Sequence, residues 1–238
     1  MNIIYINYTE VCKILSKNLE YIDSINKKII VKKLLKWWKK NKRVFPWRKT
    51  NNLYNILIAE ILLQRTKAEQ VVPVYRKIIH SFPNFTYLLK TSLANLEKIL
   101  FPLGLSEEKA KRLKELAFIV INNYSGQIPS NINQLKKLPG VGEYIARAVL
   151  CFGYKEKIAI IDVNVVRIYK RYFGITTKSD IRRNKSFIDF SDSIITKYPD
   201  LFNYSLLDFA ALICKSGNPL CFICPLTKTC IEYQTKSS

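Results

Sequence analysis

The sequence is poor in residues that break regular structure. Only 7 glycines and 9 prolines punctuate 238 residues, and internal repeats and low-complexity linkers are absent from it. Apolar residues recur at spacings of three and four rather than two, which favours helices over strands. We therefore predict a mainly α-helical protein. Among its helices we expect one over residues 30–42, a single one over residues 85–100, and one that begins at an N-cap formed by Ser106.

Long apolar runs and targeting signals are missing as well. No stretch approaches the ~18 consecutive apolar residues that a membrane-spanning helix needs. The first residues, Met1 to Asn7, contain neither the basic segment nor the small-residue cleavage site of a secretory signal. We expect a cytoplasmic protein without a membrane partner. In that compartment the six cysteines are better interpreted as metal ligands or buried thiols than as disulfides.

Negative charge is scarce: 18 Asp+Glu stand against 39 Lys+Arg, which gives 39 − 18 = +21. Because 48% of the residues are hydrophobic, the composition excludes a disordered polycation and indicates a folded basic protein. Such a charge attracts polyanions, of which nucleic acid is the commonest and a membrane surface is the rival.

The basic residues are concentrated near the start of the chain. Between Lys27 and Lys49 there are eleven basic residues, no acidic residue and all three tryptophans. This segment is either a solvated helix face over an ordinary core stripe or a surface that faces phosphates. Residues 1–26 carry much less charge and show no clean period, so we predict a separate N-terminal arm of unknown role.

Four cysteines near the end of the sequence follow the pattern C-x6-C-x2-C-x5-C. These are Cys214, Cys221, Cys224 and Cys230. Structural zinc sites usually combine two separated two-residue knuckles, whereas this pattern has one, and four thiolates are the common ligands of a 4Fe-4S cluster. The alternative is four unrelated buried thiols. Cys12 and Cys151 are predicted to be small buried hydrophobic residues.

Two glycines open an amphipathic helix in the segment from Leu138 to Val149. Gly140 and Gly142 flank Val141, and glycines at this spacing allow a close backbone approach and can turn amides toward an anion. With the preceding short helix, the segment predicts a helix-hairpin-helix that holds the DNA backbone without reading sequence. A plain turn between helices is the alternative.

Two carboxylates stand out from their surroundings. Asp162 follows an apolar stretch and precedes a helix, where amide hydrogen bonds and the helix dipole favour its ionised form; the alternative is a simple N-cap. Glu60 is the only charged residue from Leu53 to Leu63. If it is buried, desolvation raises its pKa toward the range of a general acid; otherwise it faces solvent on a polar side of the helix.

These features together resemble the helix-hairpin-helix DNA glycosylases of the endonuclease III and MutY superfamily. The resemblance runs from about Leu34 to Cys230. Three segments are most similar to MutY and to the archaeal thymine/uracil mismatch glycosylases: Phe45-Pro-Trp-Arg48, Ala59-Glu-Ile-Leu-Leu-Gln-Arg-Thr66 and Asp162-Val-Asn-Val-Val-Arg167.

The resemblance implies an all-α fold of two helical domains with a DNA-binding cleft between them. Residues 48–156 would form a six-helix barrel with the helix-hairpin-helix. Residues 27–47 and 157–238 would form a domain that holds a 4Fe-4S cluster on the four cysteines. The family acts on a base flipped out of the duplex, since the glycosidic bond cannot be reached inside the stack.

The resemblance also assigns roles to side chains. Asp162 matches the carboxylate that stabilises the oxocarbenium-like sugar and helps to place water, and Glu60 matches the one that assists departure of the base. Tyr144 occupies the hairpin position where lyases carry a lysine. Because a phenol cannot form an imine, Tyr144 implies a monofunctional enzyme that leaves an abasic site; a core aromatic is the alternative.

The remaining residues implied to contact DNA bear on the choice of base. Gln64 or Arg65 would fill the vacated stack, and Leu105 would wedge the opposite strand, although each could instead be packing or surface. Arg65, in place of a second glutamine, favours thymine or uracil opposite guanine. So does the sequence ending eight residues (238 − 230) after Cys230, which leaves no C-terminal domain for 8-oxoguanine recognition. The further DNA-contact residues implied are Gly140, Gly142, Val141, Arg48 and Lys215.

Three functions therefore follow as hypotheses. The first is a monofunctional glycosylase for thymine or uracil mispaired with guanine. The second is an adenine glycosylase acting opposite 8-oxoguanine or guanine, although Val163 stands where those enzymes usually have glycine. The third is a non-catalytic DNA-binding module. The resemblance further implies double-stranded DNA as partner, a downstream abasic-site endonuclease, a monomer, and association with the nucleoid if the protein is prokaryotic.

Overall fold

The computed structural model describes residues 8–175 and 180–237, with side chains described from Ser24 to Lys236 within these ranges. Within these ranges the regular structure is helical and no strand is present. This confirms the predicted all-α fold class. The α-helices are α1 (Tyr8–Asn41), α2 (Leu53–Leu62), α3 (Ala68–Ser81), α4 (Phe85–Lys90), α5 (Leu93–Leu100), α6 (Ser106–Tyr124), α7 (Ile132–Leu135), α8 (Glu143–Ala148), α9 (Val163–Phe173), α10 (Lys185–Ile194), α11 (Pro199–Leu212) and α12 (Ile231–Ser237).

The chain divides into two compact units, with junctions at 42/43 and 160/161. The central unit comprises residues 43–160, and the terminal unit comprises the segments on either side of it. The junctions expected from the family resemblance are 47/48 and 156/157. None of the described helices has both the length and the apolar content needed to cross a membrane.

Helix α2 forms the middle of the core of the central unit. The Asn52 side chain accepts a hydrogen bond from the Asn55 amide at 3.2 Å and so begins the helix. Eight of its ten residues, from Tyr54 to Leu62, are buried. A helix that is apolar on all sides must be covered on all sides, and α2 contacts α3 and α8. Helices α3 and α8 thus cover part of the surface of α2.

The terminal unit is built from α1 and the helices α9–α12. Helix α1 packs along α11, where the Trp37 ring lies edge-on to Phe209 with centroids 5.3 Å apart. One residue on, Trp38 donates its indole hydrogen bond to Asp208 at 2.7 Å. Trp37 and Trp38 thus anchor this part of the basic segment, whereas most of its lysines are exposed.

Some helix boundaries differ from the sequence-based predictions. Residues 8–26 of the predicted N-terminal arm belong to α1, which continues without a break into the basic segment and ends at Asn41, and residues 1–7 lie outside the described part of the chain. The single helix expected over residues 85–100 is two helices, because the Ser92 hydroxyl caps α5 by accepting from Asn95. Leu105, in a left-handed conformation, occupies the N-cap position of α6 instead of Ser106.

Candidate active site

Asp162 is the N-cap residue of α9, in the terminal unit. Its Oδ1 accepts hydrogen bonds from the amides of Asn164 at 2.9 Å and Val165 at 2.8 Å. The N-cap interpretation of this residue is therefore correct in geometry. It does not exclude a chemical role, because the side chain is only half-buried and a carboxylate is held there against the positive end of the helix dipole.

A chain of hydrogen bonds that sequence reasoning missed orients the same carboxylate. Asn164 Nδ2 donates to Asp162 Oδ2 at 2.6 Å, and Asn164 Oδ1 accepts from Arg167 at 2.9 Å. Arg167 in turn donates to the carbonyls of Cys214 at 2.9 Å and Ala210 at 3.3 Å. The spacing of Asn164 and Arg167 near the start of α9 was the available signal, since residues three apart on a helix are neighbours.

Glu60 lies on α2 in the central unit and is 5% exposed. This burial rules out the alternative of a solvent-facing glutamate. Removing an ionised carboxylate from water is costly, so an acidic side chain that is buried this deeply indicates a specific role. The central unit thus provides a buried acid, while Asp162 belongs to the terminal unit.

The predicted hairpin is formed by α7, a tight turn and α8. Gly140 has φ +78°, and a Cβ there would lie 2.3 Å from Cδ of Arg112, so both its conformation and the packing beneath it require glycine. Gly142 is exposed at the N-cap of α8, and a Cβ there would meet nothing within 4 Å. The helix start therefore opens to solvent, as an anion-binding turn requires.

Val141 differs from the other residues implied to contact DNA. Its side chain is 4% exposed and belongs to the core of the central unit. Its amide donates to the Leu138 carbonyl at 3.0 Å within the turn. Because both groups are used internally, Val141 anchors the hairpin rather than presenting a donor to phosphate, which corrects the prediction for this residue.

Tyr144 is the second residue of α8. It is half-buried and packs against the core of the central unit. The core-aromatic alternative therefore describes part of its role. The remaining exposed part of the ring stands directly after the hairpin turn, at the position to which the family resemblance assigns contact with the sugar.

The residues implied to enter the duplex lie on two loops of the central unit. Arg65 and Leu105 are both exposed, and both adopt left-handed backbone conformations, with φ of 56° and 50°. Gln64 instead turns inward: its Nε2 donates to the Gly140 carbonyl at 2.9 Å, and its Oε1 accepts from Arg112 at 3.2 Å. Of these three residues, Arg65 and Leu105 therefore project from the protein surface.

Arg48 and Lys215, two further residues implied to contact DNA, occupy different settings. Arg48 donates to the Arg43 carbonyl at 3.0 Å and lies over the Phe45 ring, so it braces the turn around Trp47. Lys215 is exposed, and its carbonyl accepts from Arg171 at 2.7 Å. Lys215 is available to phosphate, whereas Arg48 is largely a structural residue here.

The four cysteines of the C-terminal pattern line one cavity of about 270 Å³ in the terminal unit. All four are half-buried free thiols, and burial raises the pKa of Cys224 to about 11. The Leu226 amide donates to the sulfur of Cys224 at 3.4 Å, and Arg171 donates to that of Cys214 at 3.5 Å. Cys151 is fully buried, as predicted, and Cys12 falls where side chains are not described.

The four cysteines form a set of soft sulfur donors. Four thiolates are the common ligands of a 4Fe-4S cluster, and zinc also accepts them. Among the described residues, no group of three or more His, Cys, Asp or Glu side chains is already arranged around one point. Four thiols around a shared apolar cavity, two of them receiving N–H···S hydrogen bonds, fit a group with one cysteine for each metal atom.

Comparisons with known families and proteins identify relatives of this chain. Residues 58–188 match the HhH-GPD superfamily of base excision DNA repair proteins. The chain is 39% identical to the thymine/uracil-DNA glycosylase of Methanothermobacter thermautotrophicus, over 91% of this chain and 99% of that protein. It is 32% identical to the adenine DNA glycosylase of Buchnera aphidicola, over 84% of this chain but 57% of that protein.

Among solved structures, one described as a thermostable thymine-DNA glycosylase is similar throughout. It superimposes with a TM-score of 0.85 at 37% identity and covers 89% of this chain and 98% of that one. The similarity thus includes both the central unit and the segments that flank it.

Proposed function

Because the chain belongs to the HhH-GPD superfamily of base excision DNA repair proteins, we propose that it is a monofunctional DNA glycosylase that removes thymine or uracil mispaired with guanine and leaves an abasic site. The observation that carries the proposal is the carboxylate of Asp162, fixed at the start of α9 in a chain 39% identical to a thymine/uracil-DNA glycosylase. The net charge of +21 suits a double-stranded DNA substrate.

The first step is extrusion of the base. The exposed hairpin turn at Gly142 holds the phosphate backbone, and the lysines of the basic segment add sequence-independent attraction. Arg65 and Leu105 project from their loops and fill the space that the base leaves. Unstacking is easiest at a mispair, which contributes to the selection of mismatched bases.

The second step is hydrolysis of the bond between C1′ of the sugar and the base. The bonding electron pair leaves with the base, which takes a proton from the buried Glu60. Positive charge develops at C1′, and the Asp162 carboxylate stabilises it and accepts the proton of the attacking water. Asn164 and Arg167 keep the carboxylate in one orientation, so that little reorganisation is needed in the transition state.

Tyr144 limits the reaction to hydrolysis. A lysine at this position would attack C1′ and form a Schiff base that leads to strand cleavage, whereas a phenol has no nitrogen with which to form an imine. The product is therefore an intact strand with an abasic site. A separate endonuclease that cuts at abasic sites is the class of enzyme that must act next.

We further propose that Cys214, Cys221, Cys224 and Cys230 hold a 4Fe-4S cluster. When bound, the cluster would cross-link the segment that follows α11 to the C-terminal loop through these four cysteines and so would stabilise both segments. Expected features of the same proposal are a monomer and a location in the cytoplasm, associated with the nucleoid if the protein is prokaryotic.

Adenine removal opposite 8-oxoguanine or guanine is the second candidate. It is favoured by the 32% identity to an adenine DNA glycosylase, although the match spans just over half of that protein. The two candidates share the carboxylates and differ in the base that the site accepts.

Single-turnover base release from one duplex sequence carrying T·G, U·G, A·G or A·8-oxoguanine tests the proposal. Strand scission of the T·G and U·G duplexes only after hot alkali supports a monofunctional mismatch glycosylase. Release of adenine alone would assign the second candidate, and DNA binding without release of any base would indicate a non-catalytic DNA-binding module. Scission without alkali would contradict the role given to Tyr144.

A further inference from the structure

Lys109, on the first turns of α6, is a buried cation that the mechanism above does not use. It is 5% exposed. A buried ammonium is retained only where hydrogen bonds compensate its desolvation, and burial together with nearby Arg112 lowers the pKa of Lys109. Its Nζ lies within 3.3 Å of Thr66 Oγ1, 3.3 Å of the Gly104 carbonyl and 3.5 Å of the Leu103 carbonyl.

These oxygens come from two loops far apart in sequence. Thr66 follows α2 in the loop of residues 63–67, and its neighbour Arg65 projects outward. Leu103 and Gly104 precede α6 in the loop of residues 101–105, which ends at the exposed Leu105. The Lys109 ammonium thus contacts both loops. In one loop it meets the backbone just before Leu105, and in the other it meets the side chain of Thr66, next to Arg65.

The backbone at both projecting residues is strained. Arg65 and Leu105 have φ of 56° and 50°, a region that L-residues other than asparagine and aspartate rarely adopt. Such conformations persist only when the surrounding structure fixes them, and they concentrate at functional sites. Lys109 makes hydrogen bonds to one residue beside each of them, Thr66 and Gly104.

Arg112, one turn further along α6, extends the connection to the hairpin. It donates to Gln64 Oε1 at 3.2 Å, and Gln64 Nε2 donates to the Gly140 carbonyl at 2.9 Å. Its side chain also lies directly under Gly140. One face of α6 therefore contacts both projecting loops and the turn that holds phosphate.

From this network we infer that Lys109 is a positioning residue for base flipping: it joins the two loops so that Arg65 and Leu105 enter the duplex as one rigid pair, on either side of the vacated stack. The inference rests on the proposed function. With the ammonium removed, the loops separate, the left-handed conformations relax, and each intruding side chain must be ordered anew when DNA binds.

The test compares Lys109→Met with Lys111→Met. Lys111 is on the same helix but exposed, and it pairs with Glu107 at 2.5 Å on the surface, so it controls for the loss of one charge. Flipping is read from the fluorescence of 2-aminopurine placed beside the mispaired thymine, in an Asp162→Asn background that lets the flipped complex accumulate. Single-turnover release of thymine from a T·G duplex is measured on the same variants with Asp162 unchanged.

Lys109→Met is expected to lower both the flipping signal and the release rate by about 10- to 100-fold, with duplex affinity within about threefold of wild type. Lys111→Met is expected to match wild type. Lys109→Arg keeps a cation and restores at least part of the signal. Equal flipping by the Lys109→Met and Lys111→Met proteins would overturn the inference.

A second variant decides the matter if Lys109→Met fails to fold. Thr66→Val removes one acceptor of the Lys109 ammonium without changing the side-chain shape, and it is expected to weaken flipping several-fold with an unchanged melting temperature. Full flipping by a folded Thr66→Val protein would overturn the inference. Failure of the wild-type protein to release any base would instead refute the proposed function.

Discussion

The two glycines of the hairpin should respond in opposite ways to the same added methyl group. At Gly140, alanine must adopt a φ of +78° with its Cβ 2.3 Å from Arg112 Cδ. The left-handed conformation costs about 1–2 kcal/mol. Displacing Arg112 breaks its hydrogen bond to Gln64, a charged one that contributes about 1.5–3 kcal/mol. Gly140→Ala should therefore destabilise the protein by about 2.5–5 kcal/mol.

At Gly142 the same substitution has no such cost. Its φ is −86°, and the added Cβ meets nothing within 4 Å. The methyl group would instead stand on the exposed start of α8, where we expect phosphate to approach. Gly142→Ala should therefore keep the melting temperature within about 2 °C of wild type, because a surface change of this kind costs less than about 0.5 kcal/mol.

Thermal unfolding and duplex affinity at two salt concentrations separate the two effects. Gly140→Ala should lower the melting temperature by about 5–20 °C for a chain of this size. Gly142→Ala should weaken binding to any duplex about tenfold, irrespective of sequence, because phosphate contacts carry no sequence information. An unchanged melting temperature for Gly140→Ala, or a loss of stability for Gly142→Ala as large as that for Gly140→Ala, would refute this reasoning.

Three further outcomes are expected. Glu60→Gln should slow base release by about 10²- to 10⁴-fold with duplex binding intact, since it removes the proton donor; a rate equal to that of the wild type in single-turnover assays would exclude Glu60 as the acid. Tyr144→Lys should allow borohydride to trap the protein on T·G duplex, and absence of an adduct on denaturing gels would show that this side chain does not face the sugar. The purified protein should contain iron and absorb broadly near 400 nm, and Cys224→Ser should lower both; zinc in a colourless protein would contradict the cluster assignment.

The sequence was most informative where function depends on local spacing. The four cysteines, the glycine pair and the Asp162 N-cap each lie within a few residues of their partners, so a motif predicts the local structure directly. The burial of Glu60 followed from the apolar character of all of α2. These features are sufficient to predict the helical fold and most of the candidate residues from the sequence.

The contacts that sequence reasoning missed are those between distant segments. Lys109 and Thr66 are 43 residues apart, and Gln64 and Gly140 are 76 residues apart. Hydrophobic periodicity predicts that a helix forms, but not which loop oxygen its buried lysine will meet. Likewise, Val141 was assigned to DNA contact from its place between two glycines, whereas its apolar side chain favours the core.

Two predictions of helix boundaries were wrong for a related reason. Residues 8–26 lack a clean amphipathic period, yet they continue α1 because the helix is already nucleated in the packed segment that follows, and propagation costs less than nucleation. The break between α4 and α5 depends on whether the Ser92 hydroxyl caps a new helix or stays on the surface of a longer one. Both outcomes are compatible with the same pattern of apolar residues.

The central claim is tested most directly by one comparison: wild type against Asp162→Asn in single-turnover release of thymine from a T·G duplex, with binding measured on the same samples. Asparagine caps a helix as well as aspartate does, so folding and DNA binding should be preserved. The account predicts alkali-labile product from the wild-type protein and at least a 10³-fold loss from Asp162→Asn, on the order expected for removing the charge that stabilises the transition state. Base release by Asp162→Asn at a rate near that of wild type would contradict it.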